Sequence, residues 1–196
     1  MKKIILASNN QGKIKEFNTM LRGIYQVISM KDKQIKEVPE VGLTFVENAL
    51  IKARNSSEQS GLPALADDSG IVIDALGGNP GIYSARYANC HGDDEANIQK
   101  VLIDMKDVVD GERTGRFWCA IVFVEYASDP TPIIIQQSWE GEILREKIGN
   151  NGFGYDPIFY VPIYNCTSAE LSFVTKNKIS HRGKALSALL KVLKKN

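Results

Sequence analysis

Two adjacent carboxylates stand between two apolar runs in this 196-residue sequence, and they limit the folds that the chain can adopt. Residues 62–66 predict a buried strand that leads into residues 67–70, Asp-Asp-Ser-Gly, before a second apolar run at 71–73. Carboxylates at the mouth of a buried strand are costly unless a cation pairs with them, and a divalent metal ion is the usual partner. A tight turn is the alternative, because Asp, Ser and Gly all favour turns.

Composition bounds the classes of protein that are compatible with the sequence. Hydrophobic residues make up 43% and charged residues 24%, as in ordinary globular proteins, and the length predicts a single domain over residues 1–196. The net charge of +1 argues against a partner that is a nucleic-acid polymer, since tracking a phosphate backbone needs excess Lys and Arg. Any anion-binding site must therefore be local.

Cysteine usage and the apolar runs predict a cytoplasmic protein without a membrane partner. Cys90, Cys119 and Cys166 are odd in number, widely spaced and in no metal-ligand pattern, which indicates reduced thiols. No apolar run approaches the length of a membrane span, and the first three residues lead into a core strand rather than a signal peptide.

The first anion-binding candidate follows the first predicted strand. Residues 4–7 are a continuous apolar run typical of a central strand, and a helical pattern begins near Lys13. Ser8 to Asn10 offer helix-cap chemistry, and a lysine in a first helical turn is unfavourable unless an anion binds there. The segment is not a phosphate-binding P-loop, because its first glycine is missing and Ile14 follows Lys13. A capped helix with a solvated lysine is the alternative.

A second helix begins at Thr44. Glu47 stands three residues later, which predicts a capping box. Asn48, Lys52 and Asn55 share one polar face, so Lys52 is expected to reach a shared cleft, whereas Asn55 is expected to be solvated. Residues 117–126 and 132–144 predict two long strands. Residues 93–105 predict a further helix, whose acidic first turn is already explained by the helix dipole.

Two later segments add aromatic and cationic side chains. The loop at residues 149–157 presents Phe153, Tyr155 and Asp156, and an exposed Phe beside glycines can stack on a nucleobase for about 1–3 kcal/mol. Packing of Phe153 into the core is the alternative. Ser180 predicts the N-cap of the last helix, and the three cations after it are unfavourable there. Two such helix starts and a carboxylate pair suggest a polyphosphate with its metal ion.

Six motifs stand in order along the chain. Together they closely resemble those of the inosine/xanthosine triphosphate pyrophosphatases, and the resemblance runs from Lys3 to the last helix. The motifs are Ser8-x-Asn10-x-x-Lys13, Gly42-Leu43-Thr44-Phe45-x-Glu47-Asn48-Ala49, Ala66-Asp67-Asp68-Ser69-Gly70, Pro80-Gly81-x-x-Ser84-Ala85-Arg86-Tyr87, Gly152-Phe153-Gly154-Tyr155-Asp156-Pro157 and Ser180-His181-Arg182-Gly183. Asn89 stands where members of that family often have glycine, and Asn tolerates the left-handed backbone that such a position implies.

The resemblance implies a mixed α/β fold: a long twisted mixed sheet with flanking helices, in two lobes around a central cleft. It implies Mg²⁺-dependent hydrolysis of ITP, dITP or XTP to the monophosphate and pyrophosphate, in a homodimer. It makes Asp68 the general base and a metal ligand, with Glu40 as the second metal ligand. The implied substrate-binding residues are Ser8, Asn9, Asn10, Gln11, Gly12, Lys13, Lys52, Ser69, Phe153, Gly154, Tyr155, Asp156, Lys176, His181 and Arg182.

The residues themselves support part of this assignment. Neighbours in an extended strand point to opposite faces, so only one of Asp67 and Asp68 is expected to act on the substrate. We choose Asp68, and we leave Asp67 as a supporting residue or a ligand of a second metal ion. Two other functions stay open: a pyrophosphatase for other modified nucleotides, and a nucleotide-binding regulator that catalyses nothing.

Overall fold

The computed structural model describes residues 2–194 and has a mixed α/β architecture. Within these residues the strands form one sheet in the order β2-β1-β3-β4-β5-β6-β7. The strands are β1 (Lys2–Leu6), β2 (Tyr25–Ser29), β3 (Ala64–Ile73), β4 (Thr114–Val124), β5 (Ile133–Ile143), β6 (Phe159–Val161) and β7 (Cys166–Thr167). The helices are α1 (Gln11–Leu21), α2 (Phe45–Ser60), α3 (Asp94–Asp104), α4 (Phe173–Ile179) and α5 (His181–Leu193). The predicted mixed sheet with flanking helices is confirmed.

The sheet is mixed because its two ends pair differently. Strand β1 is parallel to both neighbours, with Leu6 opposite Ser29 of β2 and opposite Leu65 of β3. Strands β5, β6 and β7 pair antiparallel. The chain divides into two compact units: unit 1 lies within residues 1–68, 119–137 and 184–196, and unit 2 comprises residues 69–118 and 138–183. The predictions of a single domain and of a central cleft stay predictions.

The core of unit 1 covers both faces of its strands. Ile4 and Leu6 pack on one face with side chains of α1 and α5, and Ile5 and Ala7 pack on the other face with Ala49 and others of α2. Because successive strand residues alternate between faces, a strand buried on both sides must be apolar throughout. The continuous apolar run at residues 4–7 is therefore correctly interpreted as a central strand.

The core of unit 2 is built on the second half of β3. Ile71 and Ile73 pack with Phe117 of β4, Trp139 of β5 and Phe159 of β6, while α3 contributes buried apolar side chains. The glycine-rich loop after β3 has left-handed backbone at Gly77, Gly78 and Gly81. Asn89 also has a positive φ of 63°, which confirms the conformation expected at that position.

Two local predictions are wrong. Residues 67–70 form neither a turn nor the end of a strand. Strand β3 continues without interruption from Ala64 to Ile73, and both carboxylates lie in the middle of it. The apolar residues on either side belong to one long strand, and paired cations make burial of the carboxylates tolerable. The short helix α4 was missed, since its seven residues contain too few apolar positions to show a helical period.

None of the helices within residues 2–194 is long and apolar enough to cross a membrane.

Candidate functional site

Asp67 and Asp68 point to opposite faces of β3 in unit 1. Asp67 shares the face of Leu65, on which α1 and α5 pack, and Asp68 shares the face of Ala66, on which α2 packs. Each carboxylate accordingly pairs with a lysine from the helix on its own side: Lys13 of α1 lies 3.0 Å from Asp67, and Lys52 of α2 lies 3.0 Å from Asp68. The prediction that Asp67 and Asp68 point to opposite faces of the strand is confirmed.

The short connection from Ser8 to Asn10 and the first turn of α1 place Lys13 beside Asp67. Since Leu6 is opposite Leu65 in a parallel pair, the residues after β1 run alongside the carboxylate segment of β3. Asn10 is the N-cap of α1, and its side chain accepts a hydrogen bond from the Lys13 N–H at 3.0 Å, as predicted. Lys13 is not simply solvated, because its ammonium group meets Asp67 and its side chain is only 15% exposed.

Lys52 joins the two predicted metal ligands. Its ammonium nitrogen lies 2.8 Å from Glu40 Oε1 and 3.0 Å from Asp68 Oδ1. Burial disfavours the charge on Lys52, but the carboxylates of Asp68, Glu40 and Asp67 outweigh that effect and raise the pKa of the lysine. Burial, assisted by the negative charge of Glu40, raises the pKa of Asp68 despite the nearby ammonium groups of Lys52 and Lys13.

Asn48 is a site residue that the sequence analysis did not assign. It is fully buried, its Oδ1 accepts the Gly42 N–H at 2.8 Å, and its Nδ2 lies 3.5 Å from Asp68 Oδ2. A backbone N–H can only donate, so Oδ1 must face Gly42 and the amide nitrogen must then face Asp68. A Cβ at Gly42 would lie 2.6 Å from the Cβ of Glu47, which explains glycine at this close approach.

The start of α2 explains why Asn48 and Lys52 reach the same carboxylate. Thr44 accepts from the Glu47 N–H while the Glu47 carboxylate accepts from the Thr44 N–H, so the predicted capping box is confirmed. Residues four apart share one helix face, and that face turns Asn48 and Lys52 towards Asp68. Asn55, one turn further, is half-buried: its side chain donates to the Lys36 carbonyl at 2.9 Å and remains partly exposed to solvent, in partial agreement with the expected solvated face.

The donor set of unit 1 is suited to a divalent cation. Glu40 and Asp68 both direct carboxylate oxygens at the Lys52 ammonium, so a cation is already stabilised between them. Carboxylate oxygens are the ligands that Mg²⁺ prefers. Among residues 2–194 no three acidic, histidine or cysteine side chains converge on one point, so further ligands would have to be waters or phosphate oxygens.

In unit 2, Phe153 lies beneath two cations. The Lys176 ammonium is 4.9 Å from the centre of the Phe153 ring, and the Arg182 guanidinium is 5.7 Å from it. Arg182 also donates to Ser69 Oγ at 2.7 Å. The ring is half-buried, so Phe153 neither packs in the core nor extends freely into solvent. Four of the predicted substrate-binding residues are therefore neighbours in unit 2.

Asp156 organises the loop that carries Phe153. Its carboxylate accepts from the Phe153 N–H at 2.8 Å and from Ser168 Oγ at 2.7 Å, and it pairs with Lys176 at 2.5 Å. The carboxylate is 2% exposed. It is thus directed into the protein, and the expectation that the loop presents Asp156 to its surroundings is wrong.

Tyr155 is likewise not presented by the loop. Its ring is part of the core of unit 2, and its hydroxyl donates to the Ser84 carbonyl at 2.8 Å. Burial, with the nearby carboxylate of Asp94, raises the pKa of this hydroxyl. The surrounding glycines predict exposure of both aromatics, but burial of the Tyr155 ring is favourable because the core covers its apolar area and the Ser84 carbonyl satisfies its hydroxyl.

His181 and Arg182 begin α5, and the start of this helix is held by ring stacking and by a capping hydrogen bond. The His181 ring stacks on Phe117 with centroids 4.8 Å apart and planes 13° apart. Ser180 ends α4 and accepts from the Gly183 N–H at 3.1 Å, so its predicted capping role is confirmed. A Cβ at Gly183 would collide with the Asn177 carbonyl, which explains why a glycine follows Arg182.

A family model described as the Ham1 family matches residues 4–192. This chain belongs to the Ham1 family. Among curated relatives, a dITP/XTP pyrophosphatase of Vibrio cholerae is 51% identical over 194 residues, which is 98% of this chain and 97% of that protein. A dITP/XTP pyrophosphatase of Shigella flexneri is 48% identical over 195 residues, 99% of both chains. The recognised resemblance is thus confirmed.

Solved structures of Ham1 proteins have the same fold. The HAM1 protein of Coxiella burnetii superposes with a TM-score of 0.93 at 48% identity, with both chains fully covered. The Ham1 protein of Staphylococcus aureus gives a TM-score of 0.87 at 42% identity, with 98% of each chain covered. The roles of the individual site residues in this Ham1 chain stay predictions.

Proposed function

We propose that this protein hydrolyses the deaminated purine nucleotides ITP, dITP and XTP to the monophosphate and pyrophosphate, with Mg²⁺ as its cofactor. The observation that carries the proposal is the buried Asp68 carboxylate, held between Lys52 and Asn48 with Glu40 on the same lysine. The curated relatives named dITP/XTP pyrophosphatase support the choice of substrate. Removal of such nucleotides from the cellular pool is the role that follows.

The reaction needs a proton acceptor beside an attacking water. The water oxygen forms a bond to the α-phosphorus, the bond from that phosphorus to the bridging oxygen breaks, and pyrophosphate leaves with the electron pair. We assign Asp68 as the base that takes the proton of the water, because a carboxylate with a raised pKa accepts a proton more readily near neutral pH. Asp67 stays with Lys13 as a supporting residue.

The phosphates carry negative charge that the cations of unit 1 can stabilise. We assign Lys13, Lys52 and the polar residues 8–12 at the start of α1 to the triphosphate, because ammonium groups and free amides at a helix N-terminus bind such anions. Glu40 and Asp68 would hold the Mg²⁺. When bound, the ion neutralises phosphate charge in the transition state.

Recognition of the purine is assigned to unit 2. Phe153 offers an aromatic face for stacking, and Arg182 offers guanidinium donors beside it, with Ser69, Gly154 and His181 completing the predicted pocket. Tyr155 and Asp156 support the loop from inside unit 2, and Lys176 keeps its predicted role at the triphosphate. Hypoxanthine and xanthine carry an O6 acceptor and an N1–H donor, whereas adenine reverses both. A site with donors for O6 would leave polar groups unpaired when adenine binds, which gives strong discrimination. We assign the O6 donor to Arg182.

The test is pyrophosphate release with Mg²⁺ from ITP, XTP, dITP, ATP and GTP at equal concentration. We expect rapid release from the first three, little from ATP and GTP, and loss of release in Asp68→Asn. Asp67→Asn is the matched control, because it removes the neighbouring carboxylate on the opposite face of β3. A second panel without Mg²⁺ tests the cofactor. No release from any substrate would contradict the proposal and favour a non-catalytic nucleotide-binding regulator.

A substrate panel separates the second alternative. A pyrophosphatase for other modified nucleotides, such as modified pyrimidines, would release pyrophosphate from those and not from ITP. A cytoplasmic homodimer completes the proposal, as the resemblance implies, and analytical ultracentrifugation of the full chain tests the dimer: sedimentation at the mass of a single chain would contradict it.

A further inference from the structure

The loop around Phe153 is held at two consecutive backbone amides. The Phe153 N–H donates to Asp156 Oδ2 at 2.8 Å, and the Gly154 N–H donates to Asp94 Oδ2 at 2.7 Å. Asp156 is three residues from the amide that it holds, so its bond is local to the loop. Asp94 is sixty residues away in sequence, on the first turn of α3. Its bond is therefore a tertiary attachment of the loop within unit 2, made at the backbone beside Phe153, in addition to the side-chain attachments of Tyr155 and Asp156.

The backbone of this loop needs such an attachment. Gly152 and Gly154 flank Phe153 with φ values of +81° and +59°, in the left-handed region that glycine adopts without strain. Glycine also has the largest conformational freedom in the absence of contacts, so these two residues restrain the Phe153 ring poorly by themselves. The carboxylates of Asp156 and Asp94, together with the buried side chain of Tyr155, supply restraint that the two glycines lack.

The helix dipole favours an acidic residue at position 94, but it does not explain why the Asp94 side chain contacts the Phe153 loop. Asp93 is the N-cap of α3 and accepts from the Ala96 N–H, while Asp94 and Glu95 both stand in the first turn, where acidic residues are favourable. Glu95 bonds to Gln99 of its own helix and to Lys147. Of these three acidic residues, Asp94 is the one that meets an amide of the Phe153 loop.

We propose that Asp94 is a positioning residue that anchors the Phe153 loop to α3 and so sets the affinity of the enzyme for the purine base. The anchor keeps the Phe153 ring beneath Lys176 and Arg182, where a stacked base would also meet the Arg182 donors. This inference rests on the proposed function for its substrate, but the attachment itself exists without substrate. It adds a specificity determinant that touches neither the phosphates nor the reacting atoms.

Asp94→Ala tests the anchor because the side chain is exposed and its loss leaves no buried group unpaired. We expect the KM for ITP to rise about tenfold, as loss of a charged hydrogen bond worth about 1.4 kcal/mol would produce, while kcat stays within about twofold. Inhibition by pyrophosphate, which has no base, should be unchanged. Asp94→Asn keeps an acceptor for the Gly154 N–H and should restore most of the affinity for ITP.

Glu95→Ala is the matched control, since it removes an acidic residue from the same helical turn without touching the loop. It should leave the KM for ITP unchanged. An equal rise in KM for Glu95→Ala and Asp94→Ala would overturn the proposal, because both effects would then come from the start of the helix. An equal weakening of pyrophosphate inhibition by Asp94→Ala would also overturn it.

Amide hydrogen exchange reads the anchor independently of activity. In the free wild-type protein the Gly154 amide should exchange slowly, and Asp94→Ala should accelerate it at least about tenfold while the amides of the α3 interior keep their rates. Unchanged exchange at Gly154 would overturn the inference. If the wild type releases no pyrophosphate from ITP, the proposed function fails, and this measurement still decides whether Asp94 anchors the loop.

Discussion

Asp68 in unit 1 and Asp156 in unit 2 are both buried carboxylates paired with a lysine, yet their surroundings suit different tasks. Asp156 receives a backbone N–H, a hydroxyl and an ammonium group, all within 2.8 Å. Asp68 receives Lys52 at 3.0 Å and the Asn48 amide at 3.5 Å. A carboxylate that has short bonds to three donors is committed to the fold, whereas one with two longer contacts keeps the capacity to accept a proton.

Asp104 of α3 extends the comparison. It accepts from the Tyr87 hydroxyl at 2.7 Å and from the Lys100 ammonium at 2.5 Å. Its partial burial opposes ionisation, but these two donors outweigh that effect and lower the pKa of Asp104. At Asp68 burial prevails and the pKa is raised. Asp104 and Asp68 each have two donors, so it is the donor distance that separates the carboxylates that stabilise the fold from the one proposed to take a proton.

The sharpest test of this comparison exchanges each acid for its amide. Asp68→Asn should lower kcat for ITP by about 10²–10⁴-fold, the usual contribution of a general base, with little change in the free energy of unfolding. Asp156→Asn should instead destabilise the fold. Initial-rate kinetics and urea denaturation of both variants decide the matter, and comparable losses of kcat without destabilisation in Asp156→Asn would contradict the division of roles.

Truncation of Asp156 should have the next largest effect. Asp156→Ala leaves the Lys176 ammonium, the Ser168 hydroxyl and the Phe153 N–H without their common acceptor inside unit 2. Breaking a buried ion pair from one side costs about 3–5 kcal/mol, so the urea midpoint should fall accordingly. Lys176→Met is the companion variant, because it removes the charge and keeps an apolar side chain. A free energy of unfolding equal to that of the wild type in Asp156→Ala would refute the assignment of Asp156 to the fold.

A substitution at Asn48 tests the longer of the two contacts of Asp68, the 3.5 Å contact with the Asn48 amide. Asn48→Asp retains the acceptor for the Gly42 N–H but replaces the amide donor near Asp68 with a carboxylate. We expect kcat for ITP to fall about tenfold with KM nearly unchanged, and the acidic limb of the pH–rate profile to move to higher pH, because a like charge raises the pKa of Asp68 further. Asn55→Asp, on the same helix and away from Asp68, is the control. An identical pH profile for Asn48→Asp would argue against any influence of Asn48 on the base.

The smallest expected effect concerns Tyr87. Burial and the hydrogen bond to Asp104 raise the pKa of Tyr87 to about 12. A raised folded-state pKa contributes stability that is complete below the unfolded value of 10.0 and is lost as the pH rises from there towards 12. Tyr87→Phe should therefore lose less stability than the wild type between pH 9.5 and 11.5 in urea denaturation. Parallel losses in the two proteins would show that the tyrosine does not titrate in this way.

Much of the local structure, and the family, can be predicted from the order of the residues alone. The capping box of Thr44 and Glu47, the caps at Asn10 and Ser180, the apolar run of β1 and the left-handed backbone at Asn89 were all predicted correctly. Each depends on residues close together in sequence, whose preferences are set by nearby hydrogen bonds and sterics. The family could be recognised from the residue types and order of six motifs, without knowing which contacts those residues make.

Which polar residues belong to the site and which belong to the fold depends on contacts between distant parts of the chain. Continuity of β3 through Asp67 and Asp68 depends on lysines from two different helices, and burial of Tyr155 and Asp156 depends on Ser84, Ser168 and Lys176. The roles of Asn48 and Asp94 could not be predicted from the sequence for the same reason, since their partners are twenty and sixty residues away. Local propensity carries no information about such distant partners, and burial of polar groups is decided by whether those partners are present.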